Sequence, residues 1–220
     1  MSDVTNHQYD VLVIGAGGAG LRAAIEATRA GASVAVICKS MLGKAHTVMA
    51  EGGAAAALAN KDPRDSWQTH FRDTMKGGKY LNDWRMAEIH AKESPDRIRE
   101  LEQWGAIFDR IPPGLKGADG KPLKAGTISQ RNFGGHTYPR LAHIGDSTGL
   151  ELIRTLQDTG VHSGMDVFME YTVRRLFTTD GRVSGCFAYN RADGTLHTFQ
   201  GKTTILATGG ITRCWAVCSG

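Results

Sequence analysis

A chain of 220 residues with 41 % hydrophobic and 22 % charged residues has the make-up of a globular protein with a sizeable core. Its formal charge of +4 is mild and its Lys and Arg residues are scattered, so nothing points to nucleic acid. No apolar run approaches a membrane span and residues 1–8 do not resemble a signal or transit peptide, so membrane association is expected only through a partner.

Residues 9–31, YDVLVIGAGGAGLRAAIEATRAG, predict a strand, a tight turn and a helix. Val11, Leu12, Val13 and Ile14 form an apolar run of the kind buried on both faces. Gly15, Gly17 and Gly20 follow in G-x-G-x-x-G spacing; Leu21, Ala24, Ile25 and Thr28 then recur at helical spacing, and Gly31 stands where a helix C-cap glycine would. In such a unit the first glycine permits the turn, the second lets backbone approach a pyrophosphate, and the third lets helix and strand pack closely. The helix N-terminus offers N–H groups to the phosphates. In a chain with 28 glycines the spacing alone means little; the strand before it and the helix after it favour a dinucleotide site over a glycine-rich turn without a ligand. An NAD-binding unit carries an acid about 20 residues on. Here the second strand, predicted over 33–37, runs into Cys38, Lys39 and Ser40, which argues against an ordinary NAD dehydrogenase.

Residues 41–60 are rich in small residues and irregular, and Gly52 and Gly53 would let backbone lie against a ligand. Three helices are expected next: one with Trp67, Phe71, Thr74 and Met75 on a face, ending at Gly77-Gly78; one capped by Asp83 and running to Glu93; and one opened by Ser94-Pro95 that stops at Gly105. Residues 112–135 read as a long loop. Asp146 or Ser147 caps a helix with Leu150, Ile153 and Leu156 on one face and Gly160 at its end. Short strands over 167–171, 173–177, 182–189, 196–199 and 203–207, with Asp180-Gly181 and Asp193-Gly194 as turns, predict a β-meander feeding a final strand. Cys38, Cys186, Cys214 and Cys218 are expected as reduced thiols without a metal.

The segments GAGGAG, CKSMLGKAHTVMAEGG, DTMKGGKYLNDW, NFGG, GDSTG, DGRVSGCFAYNRADGTLHTF and TTILATGG occur in the order seen in succinate dehydrogenase and fumarate reductase flavoprotein subunits. The chain resembles that family over residues 9–210, most specifically in A-H-T-V-x-A-E-G-G, where the commoner form has Gln at the position of Glu51; the wording is similar to an actinobacterial-type variant. The resemblance implies an α/β, Rossmann-like FAD-binding domain over residues 1–220, with a mostly parallel central sheet, flanking helices and a β-meander, and with the capping domain that interrupts it falling beyond the chain. It implies oxidation of succinate to fumarate, with FAD bound covalently through His46. Related aspartate oxidases lack a histidine there. Gly15, Ala16, Gly17, Gly18, Ala19 and Gly20 would hold the pyrophosphate. Cys38, Lys39, Ser40, Gly43, Lys44, Ala45, Thr47, Gly52 and Gly53 would line ribose, pyrophosphate and flavin, and Ala207, Thr208, Gly209 and Gly210 would pass close to the cofactor. An iron–sulfur subunit, membrane anchor subunits with quinone, and a flavinylation assembly factor are the implied partners, at the cytoplasmic side of the membrane. The family's proton-transferring arginine would lie beyond Gly220, so no catalytic residue is named. Residues 211–220 depart from the family, with Thr212 where a second glycine would stand, so the chain reads either as a fragment or as misread at its end; the resemblance implies the FAD-binding half, an incomplete catalyst alone.

Arg131, His136, Arg140 and His143 surround Phe133-Gly134-Gly135 and read either as a cationic loop for a dicarboxylate or as a solvated, partner-facing loop. Asp83 reads as a helix cap before a functional acid. The rival functions are a fumarate reductase flavoprotein and a non-catalytic flavin-binding or assembly module.

Overall fold

The computed structural model describes residues 4–211 and 214–217. In chain order the elements are β1 (Val4–Ile14), α1 (Gly18–Arg29), β2 (Val34–Cys38), a 3-10 turn (His46–Met49), β3 (Ala54–Ala55), α2 (Trp67–Gly77) and α3 (Trp84–Gln103). Then come β4 (Gln130–Arg131), β5 (Leu141–Ala142), α4 (Thr148–Ser163), β6 (Asp166–Met169), β7 (Tyr171–Thr179), β8 (Arg182–Asn190) and β9 (Leu196–Leu206). The chain divides into two compact units, Met1–Val48 with Ile153–Gly220, and Met49–Leu152.

The first unit is built on a six-stranded sheet of order β6-β2-β1-β9-β8-β7. β6, β2, β1 and β9 run parallel, and β8 and β7 add antiparallel strands at one side. This is the expected α/β architecture. β2 is buried at all five positions and β1 at Leu12, Val13 and Ile14, as continuous apolar runs in a parallel sheet should be. α1 turns Gly20, Leu21, Ala24 and Ile25 inward, ends at Arg29, and is followed by Gly31 at φ 86°, so the glycine stop falls where the sequence puts it. Leu12, Ile14, Ala35, Ile37, Cys186, Ala188 and Phe199 form the core on one face of the sheet.

Two expectations for this unit are corrected. Strands 196–199 and 203–207 are one strand, β9, paired with β1 from Val4↔Leu196 to Ile14↔Leu206. Gly201, which breaks the apolar pattern, is required there: a Cβ on it would lie 2.6 Å from Leu12 Cγ. β6 is not part of the meander but pairs parallel with β2, and Glu170 at φ 65° separates it from β7. The meander proper is β7-β8-β9, closed at Asp180-Gly181 by two residues of positive φ, a hairpin geometry that suits the twist of the strands.

The second unit carries the small antiparallel sheet β3-β5-β4, with α2 and α3. Its core gathers Ala56, Ile98, Ala106, Phe108, Ile128 and Ala142. Ser66 Oγ accepts from Thr69 N at the start of α2, and Asp83 Oδ1 accepts from Arg85 N and Met86 N at the start of α3. The predicted break at Ser94-Pro95 does not occur: α3 runs unbroken for 20 residues with Pro95 inside it. Ala91, Ser94 and Ile98 are buried on one face on both sides of the proline, and that burial holds the helix through a residue that costs roughly 3 kcal/mol in a helix interior. The predicted 112–135 loop is also more ordered than expected. Gly117 N donates to Lys121 O and Leu123 N to Leu115 O, bridges join Lys116 to Pro122 and Arg110 to Ile128, and β4 begins at Gln130.

The boundary between the units falls within α4. Of its predicted inner face, Ile153 and Leu156 are buried but Leu150 is 57 % exposed. Gly160 is interior rather than terminal: a Cβ there would lie 2.4 Å from Met165 Cε, and the helix stops at Gly164, φ 90°. Among the described residues no helix is long and apolar enough to cross a membrane. Cys38, Cys186 and Cys214 are free thiols; Cys218 and Thr212 lie outside the described residues.

Candidate functional site

The three motif glycines have different structural reasons. Gly15 sits at φ 113°, donates its N–H to Ile37 O at 2.9 Å, and a Cβ on it would lie 2.2 Å from Ala207 O. Gly20 lies against the strand, where a Cβ would be 1.9 Å from Gly15 O. Both are demanded by packing. Gly17, the N-cap of α1, has φ −80°, and a Cβ there would meet its nearest neighbours, Thr47 Oγ1 and Ala45 Cβ, at 3.5 and 3.6 Å. The fold therefore has room for a side chain at Gly17, and what its absence leaves is bare backbone beside a helix N-terminus. The first turn of α1 contains no acid, and the Ala19 and Gly20 N–H groups have no acceptor within their own helix. This surface fits a pyrophosphate.

At the end of β2 the thiol of Cys38 donates to Ser40 O at 3.1 Å, and burial pushes its pKa up to about 11, so it stays neutral. Arg191 Nη1 donates to Lys39 O at 2.8 Å and Glu170 N to Ser40 O at 3.4 Å, so the turns after β8 and β6 fix the Cys38-Lys39-Ser40 strap. Neither contact is legible in the sequence, because each joins residues more than a hundred positions apart. In the following loop Lys44 N donates to Met41 O and Gly43 has φ 80°, with Gln157 Oε1 only 2.6 Å from where its Cβ would be. Val48 N donates to Ala45 O, and His46, exposed, opens the 3-10 turn. Thr47 Oγ1 accepts from Gly18 N at 3.2 Å. After β9, Ala207 N donates to Ile14 O at 2.9 Å, and Ala207 and Thr208 lie against Gly15; Gly209 and Gly210 follow in the chain.

One unit thus contains Gly15 to Gly20, the 38–40 strap, Gly43 to Thr47 and Ala207 to Gly210. Gly52 and Gly53 belong to the other, where each has a packing reason: Phe133 Cε2 would lie 3.3 Å from a Cβ on Gly52, and Ala142 O 2.7 Å from one on Gly53.

The two arginines of the cationic loop are paired with groups of the chain itself. Arg140 is fully buried, with Nη2 2.8 Å from Asp65 Oδ1 and Nη1 2.9 Å from Asp73 Oδ2. Asp73 also accepts from Thr137 N and Oγ1. Burial raises the pKa of Asp65; at Asp73 burial also works upward, but the Thr137 bonds and Arg140 outweigh it and hold the carboxyl low. Arg131 donates to the carbonyls of Glu51, Gly52 and Gly145 and pairs with Asp146. His143 Nδ1 lies 2.8 Å from Asp109 Oδ2. The His136 ring lies beside that of buried His70, and burial lowers the pKa of both. The sequence shows cations here but not the acids, Asp65, Asp73 and Asp109, that meet them.

The family described as an FAD binding domain matches residues 10–219. The matching chain of the fumarate reductase (CoM/CoB) of Methanothermobacter marburgensis is 39 % identical over 214 residues, which cover 97 % of this chain and 37 % of that protein. The succinate dehydrogenase flavoprotein subunit of Rickettsia felis is 37 % identical over 221 residues, covering 97 % and 35 %. The structure of Mycobacterium smegmatis Sdh1 in complex with UQ1 superposes with a TM-score of 0.86 at 53 % identity, covering 99 % of this chain and 36 % of that one. The chain therefore spans little more than a third of the length of these relatives. It belongs to the FAD binding domain family, where its relatives are the flavoprotein subunits of succinate dehydrogenases and fumarate reductases.

Proposed function

We propose that this chain is the FAD-binding portion of a flavoprotein subunit that oxidises succinate to fumarate, with FAD held covalently on His46. The observation that carries the reading is the place of His46: exposed, at the head of a 3-10 turn, and next to Thr47, which bonds the first turn of α1. Gly17, Ala19 and Gly20 would hold the pyrophosphate on backbone N–H groups, and the Cys38-Lys39-Ser40 strap would meet the ribose. Bound FAD would supply the two-electron redox chemistry, and alkylation of an imidazole onto it raises its potential toward that needed to oxidise an unactivated C–C bond. His46 would hold the FAD through a ring nitrogen, and the turn that Thr47 fixes to α1 would set where that ring stands. Arg131 and Arg140 are committed to carbonyls and carboxylates within their unit, so the proton-transferring arginine of the resemblance is not assigned to them.

An iron–sulfur subunit, anchor subunits with quinone, a flavinylation factor and a peripheral place on the cytoplasmic side belong to the same proposal. The fumarate reductase of Methanothermobacter marburgensis among the relatives supports a second reading, the same site working in the reducing direction. The test is the mass of the natively produced protein in denaturing acid, with mapping of tryptic peptide 45–61. One FAD on that peptide supports the reading; an unmodified peptide in flavin-replete protein refutes the covalent link. Potentiometry against the succinate/fumarate couple then separates the two directions.

A further inference from the structure

We infer that Thr47 is a positioning residue whose hydroxyl docks the His46 turn onto the first turn of α1. The inference rests on the FAD reading above and adds what holds the tether in place.

The N-cap of α1 is Gly17, which has no side chain to satisfy the free N–H groups that follow it. Thr47, 29 residues beyond Gly18, supplies the missing acceptor: its Oγ1 takes the Gly18 N–H at 3.2 Å. The same side chain covers both glycines. A Cβ on Gly17 would lie 3.5 Å from Thr47 Oγ1, and one on Gly18 would lie 3.5 Å from Thr47 Cγ2. The hydroxyl and the methyl thus each have a place, which suits a β-branched residue with a stiff χ1. The Val48 N bond to Ala45 O closes the turn, and Gln157 Oε1 crowds Gly43 upstream. His46 lies inside the turn that the Val48 N bond to Ala45 O closes.

The bond also divides the helix N-terminus. Gly18 N–H is committed to the protein, while Ala19 and Gly20 N–H stay available to phosphate. Because the acceptor is neutral, the positive end of the helix dipole is not cancelled before an anion arrives.

The test compares Thr47→Val, which keeps the shape and loses the acceptor, with Thr47→Ser, which keeps the acceptor. Two quantities are read in the FAD-free and FAD-titrated 220-residue chain: hydrogen exchange of the Gly18 amide, and the FAD dissociation constant by flavin fluorescence. Thr47→Val is expected to speed Gly18 exchange about tenfold and to weaken FAD binding by about five- to tenfold, the effect of one net hydrogen bond. Thr47→Ser is expected to stay within about twofold of the parent in both. Unchanged Gly18 exchange in Thr47→Val, unchanged FAD affinity, or equal losses in Val and Ser would each overturn the assignment. A parent chain that binds no FAD would instead overturn the FAD reading, with the Gly18 exchange still reporting on the dock.

Discussion

Gly20 lies so close to the carbonyl of Gly15 that a Cβ on Gly20 would sit 1.9 Å from that oxygen, whereas a Cβ on Gly17 would have ordinary contacts at 3.5 Å and beyond. Two of the motif glycines are therefore required by packing, and the third is not. Gly20→Ala is expected to destabilise the chain by more than about 2 kcal/mol, because backbone must move. Gly17→Ala is expected to keep the parent melting temperature and to lose FAD affinity by about tenfold or more, since its methyl would occupy the phosphate approach. Thermal melts beside FAD titrations check this; equal behaviour of the two variants would refute it.

Arg140 lies between Asp65 and Asp73 with no exposure. Arg140→Met leaves two carboxylates without their cation and should cost about 3–5 kcal/mol. Arg140→Lys should rescue little, since one ammonium cannot reproduce the two-sided fork. Urea unfolding measures both. A variant of parental stability would mean the triad is not the keystone of its unit.

The histidines give the pH dependence a sign. Burial first, then Arg140, His90 and His136, push His70 from 6.5 down to about 3. His90, His136 and His143 are lowered in the same direction, chiefly by burial. Below about pH 6.5 the unfolded chain takes up protons that the folded chain refuses, so stability falls as pH drops toward 3. Asp65, raised by burial, works against this trend as it protonates. The urea midpoint should be lower at pH 5 than at pH 7, and His70→Gln should shrink the difference. Equal midpoints in the parent would rule this out.

Asp83 caps α3 through Arg85 N and Met86 N. Asp83→Ala should cost about 1 kcal/mol, while Asp83→Asn should cost less. FAD affinity should not change in either. A loss of affinity at unchanged stability would assign Asp83 a functional role instead.

What the sequence reveals is what neighbours in the chain decide. The strand–turn–helix of Val11 to Gly31, the Asp83 cap and the Asp180-Gly181 turn rest on residues within a few positions of each other, and all three are found. Pro95 reads as a helix start because its local chemistry says so; the burial of Ala91 and Ile98 on either side of it is a tertiary fact. Gly201 reads as a strand break because Leu12, the residue that requires it, is far away in sequence. Arg140 reads as a free cation for the same reason, its two acids lying 75 and 67 positions upstream. In the candidate site the glycines and His46 are legible from motif alone, while Arg191 and Glu170, which brace the strap, and Gln157, which would clash with a side chain at Gly43, are not.

The pairing of β1 with β9 along its full length has a consequence for biosynthesis. β1 leaves the ribosome before the other strands described and can take β2 as a neighbour soon afterwards, but its other side waits for Leu196–Leu206. At ordinary translation rates that wait is on the order of 10–40 s. Throughout it, Val11, Leu12, Val13 and Ile14 present an unpaired apolar strand edge to every other nascent chain nearby. A product that terminates before residue 196 is expected to aggregate more readily than the whole chain, because the edge of β1 is never covered.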